Sequence, residues 1–188
     1  VQVMEDRLST MDVSVTSGDH ATTVEPFIAN SVEVLKGPAT LLYGNGSVGG
    51  VVDVHTGRIP HGQLGDTFSG KMTAQGSDNG DQHAVAARLD GEGEGFAWHF
   101  DGFDRRSTNY DIPGETESDA LIAAEEANGE DHEEEASPGF LPGSHFSTDG
   151  GAIGFSFIGE NWFSGVAVSQ LNALYGLPGG HGHHDHDD

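Results

Sequence analysis

The last eight residues, His181-Gly-His-His-Asp-His-Asp-Asp188, hold four histidines and three aspartates. Imidazole and carboxylate are the donors that bind Zn²⁺ where no thiolate is available, at about 2.0–2.2 Å in a tetrahedron. His181, His183, His184, Asp185, His186, Asp187 and Asp188 are therefore candidate metal ligands. Gly179, Gly180 and Gly182 loosen the run. Such a segment can wrap an ion with several ligand sets, but ordering it costs about 1–2 kcal/mol per residue and weakens each set. That suits metal capture better than tight binding; an inert hydrophilic loop is the plain alternative.

A second cation-attracting stretch lies between residues 107 and 148. Glu115, Glu117, Asp119, Glu125, Glu126, Glu130, Asp131, Glu133, Glu134 and Glu135 surround His132, a further candidate ligand. A field of that sign draws divalent cations, although salt screens it within about 8–10 Å. Asp119–Ala127 has the composition of a short helix. No nucleophile–base arrangement, phosphate-binding loop with its lysine, or catalytic carboxylate pair emerges. The expectation is a protein that binds and moves a ligand, not an enzyme.

Composition agrees with a cationic ligand. The net charge is −24, with 31 acidic residues against 7 basic, and no lysine or arginine follows Arg106. Such a surface repels nucleic acid, which is not an expected partner. The chain has no cysteine, which removes disulfides, iron–sulfur clusters and thiolate zinc sites. Three methionines make a thioether path for Cu(I) a poor expectation. No run of about 18 apolar residues occurs, so no helix is apolar enough to cross a membrane; that says nothing of strands.

The elements that must position these groups come in two textures. Residues 1–60 read as a mixed α/β segment. Strands are expected at Val1–Met4, Asp12–Val15 and Ser31–Leu35, with a helical turn at Glu25–Asn30 where Pro26 takes a first helical position. From residue 66 the chain alternates. Phe68, Met72 and Ala74 share one face; so do Val85, Ala87 and Leu89, then Phe96, Trp98 and Phe100, then Ile153, Phe155 and Phe157. A fifth segment, Phe163–Tyr175, alternates less cleanly. Period-two patterning predicts antiparallel strands. Both a soluble β-sandwich and a transmembrane barrel fit it. In an up-and-down sheet every second connection lies at the same end. The link at 77–82, the long loop at 107–148 and the segment after residue 175 are thus expected together, with tight turns at the other end.

One stretch favours the barrel. Val32-Glu-Val-Leu-Lys-Gly-Pro-Ala-Thr-Leu-Leu-Tyr-Gly-Asn-Gly-Ser-Val-Gly-Gly-Val-Val-Asp-Val resembles the signature near the end of the plug domain in TonB-dependent outer-membrane receptors. The resemblance implies a plug inside a barrel of about 22 strands in the outer membrane of a Gram-negative bacterium, with lipid around it and an inner-membrane TonB complex as energy source. The chain is then expected to be a fragment: 1–60 the C-terminal part of the plug, and 61–188 about five barrel strands with long loops at 107–148 and 176–188.

A narrower resemblance concerns the cargo. Val1–Ser14, followed by Ser17-Gly-Asp-His-Ala-Thr-Thr-Val-Glu-Pro, is similar to the plug of the zinc-uptake receptors. This carries a ligand role to Asp19 and His20, and Zn²⁺ is expected as transported substrate. Tyr175-Gly-Leu-Pro-Gly leads into the kind of His-rich loop those receptors carry. Two alternatives stay open: a receptor for a siderophore, haem or other chelate, and a soluble secreted acidic metal-binding protein.

Overall fold

The computed structural model describes residues 1–10, 24–44, 47, 49–61, 67–114, 116 and 139–178. They fall into two compact units. The first comprises 1–74, 84–104 and 149–173; the second comprises the described residues of 75–83, 105–148 and 174–188.

The first unit begins with four short strands, β1 (Gln2–Glu5), β2 (Leu8–Ser9), β3 (Ser31–Leu35) and β4 (Val51–His55), in the order β2-β1-β4-β3. β1 runs parallel to β4, and the other pairs are antiparallel, with Glu33 opposite Asp53. β1 and β2 are joined by Asp6 and Arg7, at φ 48° and 66°, the left-handed conformation that a two-residue hairpin loop demands. Neither is glycine, and tertiary bonds hold the loop. Asp6 accepts from the Thr56 amide at 2.9 Å and from the Thr56 hydroxyl, and the Arg7 amide donates to Asp53 at 3.1 Å.

The expected strands at Val1–Met4 and Ser31–Leu35 appear as β1 and β3; the one at Asp12–Val15 and the helix at Asp119–Ala127 lie outside the described residues. Of the mixed α/β expectation, the strands appear, and the helical turn appears as a 3-10 turn. Among the described residues there is no α-helix, only 3-10 turns at Pro26–Ile28, Pro38–Tyr43 and Asn79–Asp81. The reason is local. Pro26 does start a turn, capped by the Glu25 carboxylate on the Phe27 amide, but Ala29 is already extended at φ −66°, ψ 134°. One i→i+3 bond closes before an i→i−4 ladder can begin.

Five longer strands follow: β5 (Phe68–Ser77), β6 (Gln82–Gly93), β7 (Phe96–Ser107), β8 (Phe146–Ile158) and β9 (Phe163–Tyr175), hydrogen-bonded in sequence order. Period two governs them, and burial shows which face is covered. On β6, Ala86, Arg88 and Asp90 are buried while Val85 and Leu89 are exposed; on β7, Ala97, His99 and Phe103 are buried while Phe96 and Phe100 are exposed. On β8, Ser156 is buried, and Phe157 is 61 % exposed. A one-sided soluble sheet covers its apolar face. This one covers its polar face. Phe68, Trp98, Phe100 and Phe155 run as a chain of ring contacts at 5.3–6.0 Å among the uncovered residues. Gly91 makes room for Trp98, whose indole occupies the space a Cβ would take.

In the second unit, the turn after β5, the loop after β7 and the chain after β9 are bonded to one another. Thr108 donates to the Gly80 carbonyl at 2.8 Å, Asp111 to the Asn79 side chain at 2.6 Å, and Gly176 to the His145 carbonyl at 2.9 Å. These three connections are the ones that strand parity assigns to one end of an up-and-down sheet.

Candidate functional site

Every candidate ligand named from sequence, Asp19, His20, His132, His181, His183, His184, Asp185, His186, Asp187 and Asp188, lies outside the described residues. Among the described residues, no group of three or more His, Asp or Glu is placed to hold a metal ion. What the first unit does show is a charged chain within its covered interior.

The chain alternates in sign. Arg88 donates to both carboxylate oxygens of Asp90, at 2.7 and 3.0 Å. Asp90 lies 2.7 Å from His99 Nδ1, and His99 Nε2 lies 2.7 Å from Asp101. Asp101 accepts from Arg58 Nε at 3.1 Å, and Arg58 also binds Glu5. His99 is 0 % exposed. The ring thus sits between two carboxylates, each of which also accepts from an arginine. Buried charges persist only when paired in this way. Among the buried side-chain atoms of the described residues, Asp101 Oδ1 is left without a hydrogen-bond partner.

The chain joins two parts of the molecule. Arg88, Asp90, His99 and Asp101 belong to β6 and β7, whereas Glu5 ends β1 and Arg58 follows β4. Further contacts continue the attachment. Arg88 Nη1 donates to the carbonyls of Ile28 and Thr56 at 3.0 and 2.8 Å, and Ser156 donates to the Pro60 carbonyl at 2.7 Å. Ile28 packs with Ala86 and Phe103, and His61 stacks on Phe163 with centroids 4.8 Å apart. Two glycines make the approach possible. A Cβ on Gly154 would overlap the Arg58 carbonyl, and one on Gly165 would overlap the Ile59 side chain. The segment 56–61 is thus laid directly against the sheet.

A second group surrounds His55. Its Nε2 is 3.6 Å from Glu33 and from Asp53, and its Nδ1 is 4.0 Å from Asp6. Three carboxylates, from the β1–β2 loop, β3 and β4, thus surround one partly exposed imidazole.

Sequence reading assigned no partner to His55, His61 or His99. Their partners are distant in the chain or on a strand face whose burial a pattern does not reveal. The one available signal was the sign alternation Arg88, Asp90, His99, Asp101 on the polar faces of two consecutive strands.

Comparison with known proteins bears on both parts. Residues 1–51 match the TonB-dependent Receptor Plug Domain. The matched stretch runs from β1 through β3 to the first residue of β4. Among solved structures, the chain is similar to the copper transporter OprC, with a TM-score of 0.64 and 13 % identity over 94 % of this chain. It spans 23 % of that protein's length. At this identity the likeness is one of fold. The family match covers residues 1–51 alone, and neither finding speaks to zinc.

Proposed function

We propose that this chain is part of a TonB-dependent outer-membrane receptor that imports a metal ion. One observation carries the reading. The strands after the plug bury Arg88, Asp90, His99 and Asp101 against plug residues, while Phe96, Phe100, Phe155 and Phe157 stay uncovered. A polar interior with an apolar exterior is what a barrel in lipid requires; a soluble sandwich requires the opposite. In this reading the plug occludes the lumen, the acidic and His-rich loops gather the ion, and Asp19 and His20 help hold it. Energy from the inner-membrane TonB complex then loosens the plug. The ion is moved and not chemically altered.

Zn²⁺ is the proposed cargo, on the sequence around Asp19 and His20 and the donors at 181–188. Copper is the second reading, because OprC is named a copper transporter. The three methionines of the chain argue against a thioether route for Cu(I), so a copper cargo would have to be held by imidazole and carboxylate.

The test is metal uptake by metal-starved cells carrying the full-length protein. Asp19→Ala/His20→Ala is expected to abolish uptake of zinc but not of copper, and deletion of 181–188 to slow it at scarce zinc. Zinc entry at the wild-type rate in the double variant overturns the zinc reading. Loss of copper entry alone favours copper.

A further inference from the structure

Across three neighbouring strands of the first unit, the uncovered face stops being apolar at one row. Facing outward on β7 are Phe96, Trp98, Phe100 and Gly102, and then Asp104; on β8 they are Phe157, Phe155, Ile153 and Gly151, and then Asp149. A Cβ on Gly165 would overlap Ile59, so the odd positions of β9 face residues 56–61 and the even ones face away. Those even positions read Ser164, Val166 and Val168, and then Gln170 and Asn172.

The polar residues that end each run are neighbours. A Cβ on Gly151 would lie 3.4 Å from the Gly102 Cα, so two residues further along these antiparallel strands Asp149 comes beside Asp104. Asn172 Nδ2 donates to Asp149 Oδ2 at 2.9 Å, and Gln170 Nε2 donates to Asn172 Oδ1 at 3.3 Å. Two carboxylates and two amides thus close the apolar face on three strands together.

The band they close is short. A strand crossing a bilayer needs about 9–11 residues, whereas the outward positions stay apolar only over 96–102 on β7 and 151–157 on β8, and the run on β9 ends at Val168. At about 3.3 Å per residue, 96–102 extends about 20 Å along the strand. Strand tilt reduces this to about 15 Å along the barrel axis, against a usual lipid-facing band about 25 Å tall. A band shorter than the hydrocarbon is met by thinning of the lipid beside it. The alternative is to carry Asp104 and Asp149 into hydrocarbon, where a charge on the lipid face destabilises more the deeper it lies. One such residue could be tolerated, but a bonded row across three strands marks an edge.

We propose that the bilayer is thinned where it meets β7 to β9, with its hydrocarbon edge on the loop side at Gly102, Gly151 and Gln170. The inference rests on the barrel reading given above and adds the thickness of lipid that this flank accepts.

The test uses single nitroxide labels at Glu94→Cys, Phe100→Cys, Gly102→Cys and Asp104→Cys. The labelled full-length protein, with any other cysteine replaced by serine, is reconstituted in dilauroyl- and in dioleoyl-phosphatidylcholine. The label at 100 is expected to collide mainly with oxygen, and those at 94 and 104 mainly with a water-soluble nickel chelate. The label at 102 should fall between them, and the profile should be the same in both lipids, because the polar row fixes the edge. Dominance of oxygen at 102 and 104 in the thicker dioleoyl bilayer overturns the proposal. With Asp149→Leu/Asn172→Leu added, the label at 104 should lose most of its collisions with the chelate in dioleoyl lipid; unchanged collisions would overturn the role given to the polar row. A label at 100 that meets the chelate and not oxygen would instead sink the barrel reading itself.

Discussion

His99 Nε2 lies 2.7 Å from Asp101 Oδ2, both side chains being fully buried on one face of β7. Asp101 in turn binds Arg58, 43 residues earlier in the chain. Through this pair the strand sheet is tied to the segment that follows β4, with Asp90 and Arg88 extending the tie to β6.

Breaking the tie at its centre should be costly. His99→Leu leaves Asp90 and Asp101 facing an apolar side chain, and loss of one partner from a buried ionic group costs about 3–5 kcal/mol. Thermal unfolding of the full-length protein in detergent should show a clearly lowered midpoint. The triple change His99→Leu, Asp90→Asn and Asp101→Asn should recover part of the loss by removing the orphaned charges. An unchanged midpoint in His99→Leu would contradict a structural role for the chain.

The close approach of residues 58–60 to the sheet makes a sharper steric prediction. Gly154→Val drives a side chain into the Arg58 carbonyl, whereas Gly102→Ala meets no atom nearer than 3.8 Å. Overpacking costs about 1–3 kcal/mol. Limited proteolysis should cut Gly154→Val near residues 56–61 and leave Gly102→Ala as resistant as wild type. Equal protection of both would mean that the segment does not rest on β8.

Asp6 holds the β1–β2 loop by two bonds to Thr56. Asp6→Ala removes both acceptors and leaves buried Thr56 unsatisfied, a loss of about 1–3 kcal/mol. Amide hydrogen exchange at Thr56 should quicken in this variant. Exchange at the wild-type rate would show that the loop is held by other contacts.

The sequence made much of this fold readable because strand pattern is local. β3 and β9 have the bounds that apolar spacing marks out at Ser31–Leu35 and Phe163–Tyr175, and counting connections was enough to group the turn at 78–81 with the loop after Ser107. Alternation, however, defines two faces without saying which is covered. Val85 and Arg88 look the same to the pattern whether the sheet lies in water or lipid. Burial of Arg88 and exposure of Val85 become visible only once residues 56–61 are laid against the sheet. His99 was opaque for a related reason: Asp90 sits on the neighbouring strand, and Arg58 lies beyond β5 and β6. The helical turn expected at Glu25–Asn30 is present as a 3-10 turn at Pro26–Ile28 and ends where Ala29 returns to extended backbone.

The central claim is that the uncovered apolar face of β6 to β8 meets lipid while the polar face holds the plug. The chain has no cysteine of its own, so one introduced thiol reports on one position once any cysteine elsewhere in the full-length protein is replaced by serine. Nitroxide labels at Phe155→Cys and Ser156→Cys, in full-length protein reconstituted in bilayers, measure this most directly through collision with oxygen and with a water-soluble nickel chelate. The label at 155 should collide strongly with oxygen and weakly with the chelate, and the label at 156 should be immobile and shielded from both. A label at 155 that meets the chelate and not oxygen, or a label at 156 that meets oxygen as strongly as 155, would contradict the account.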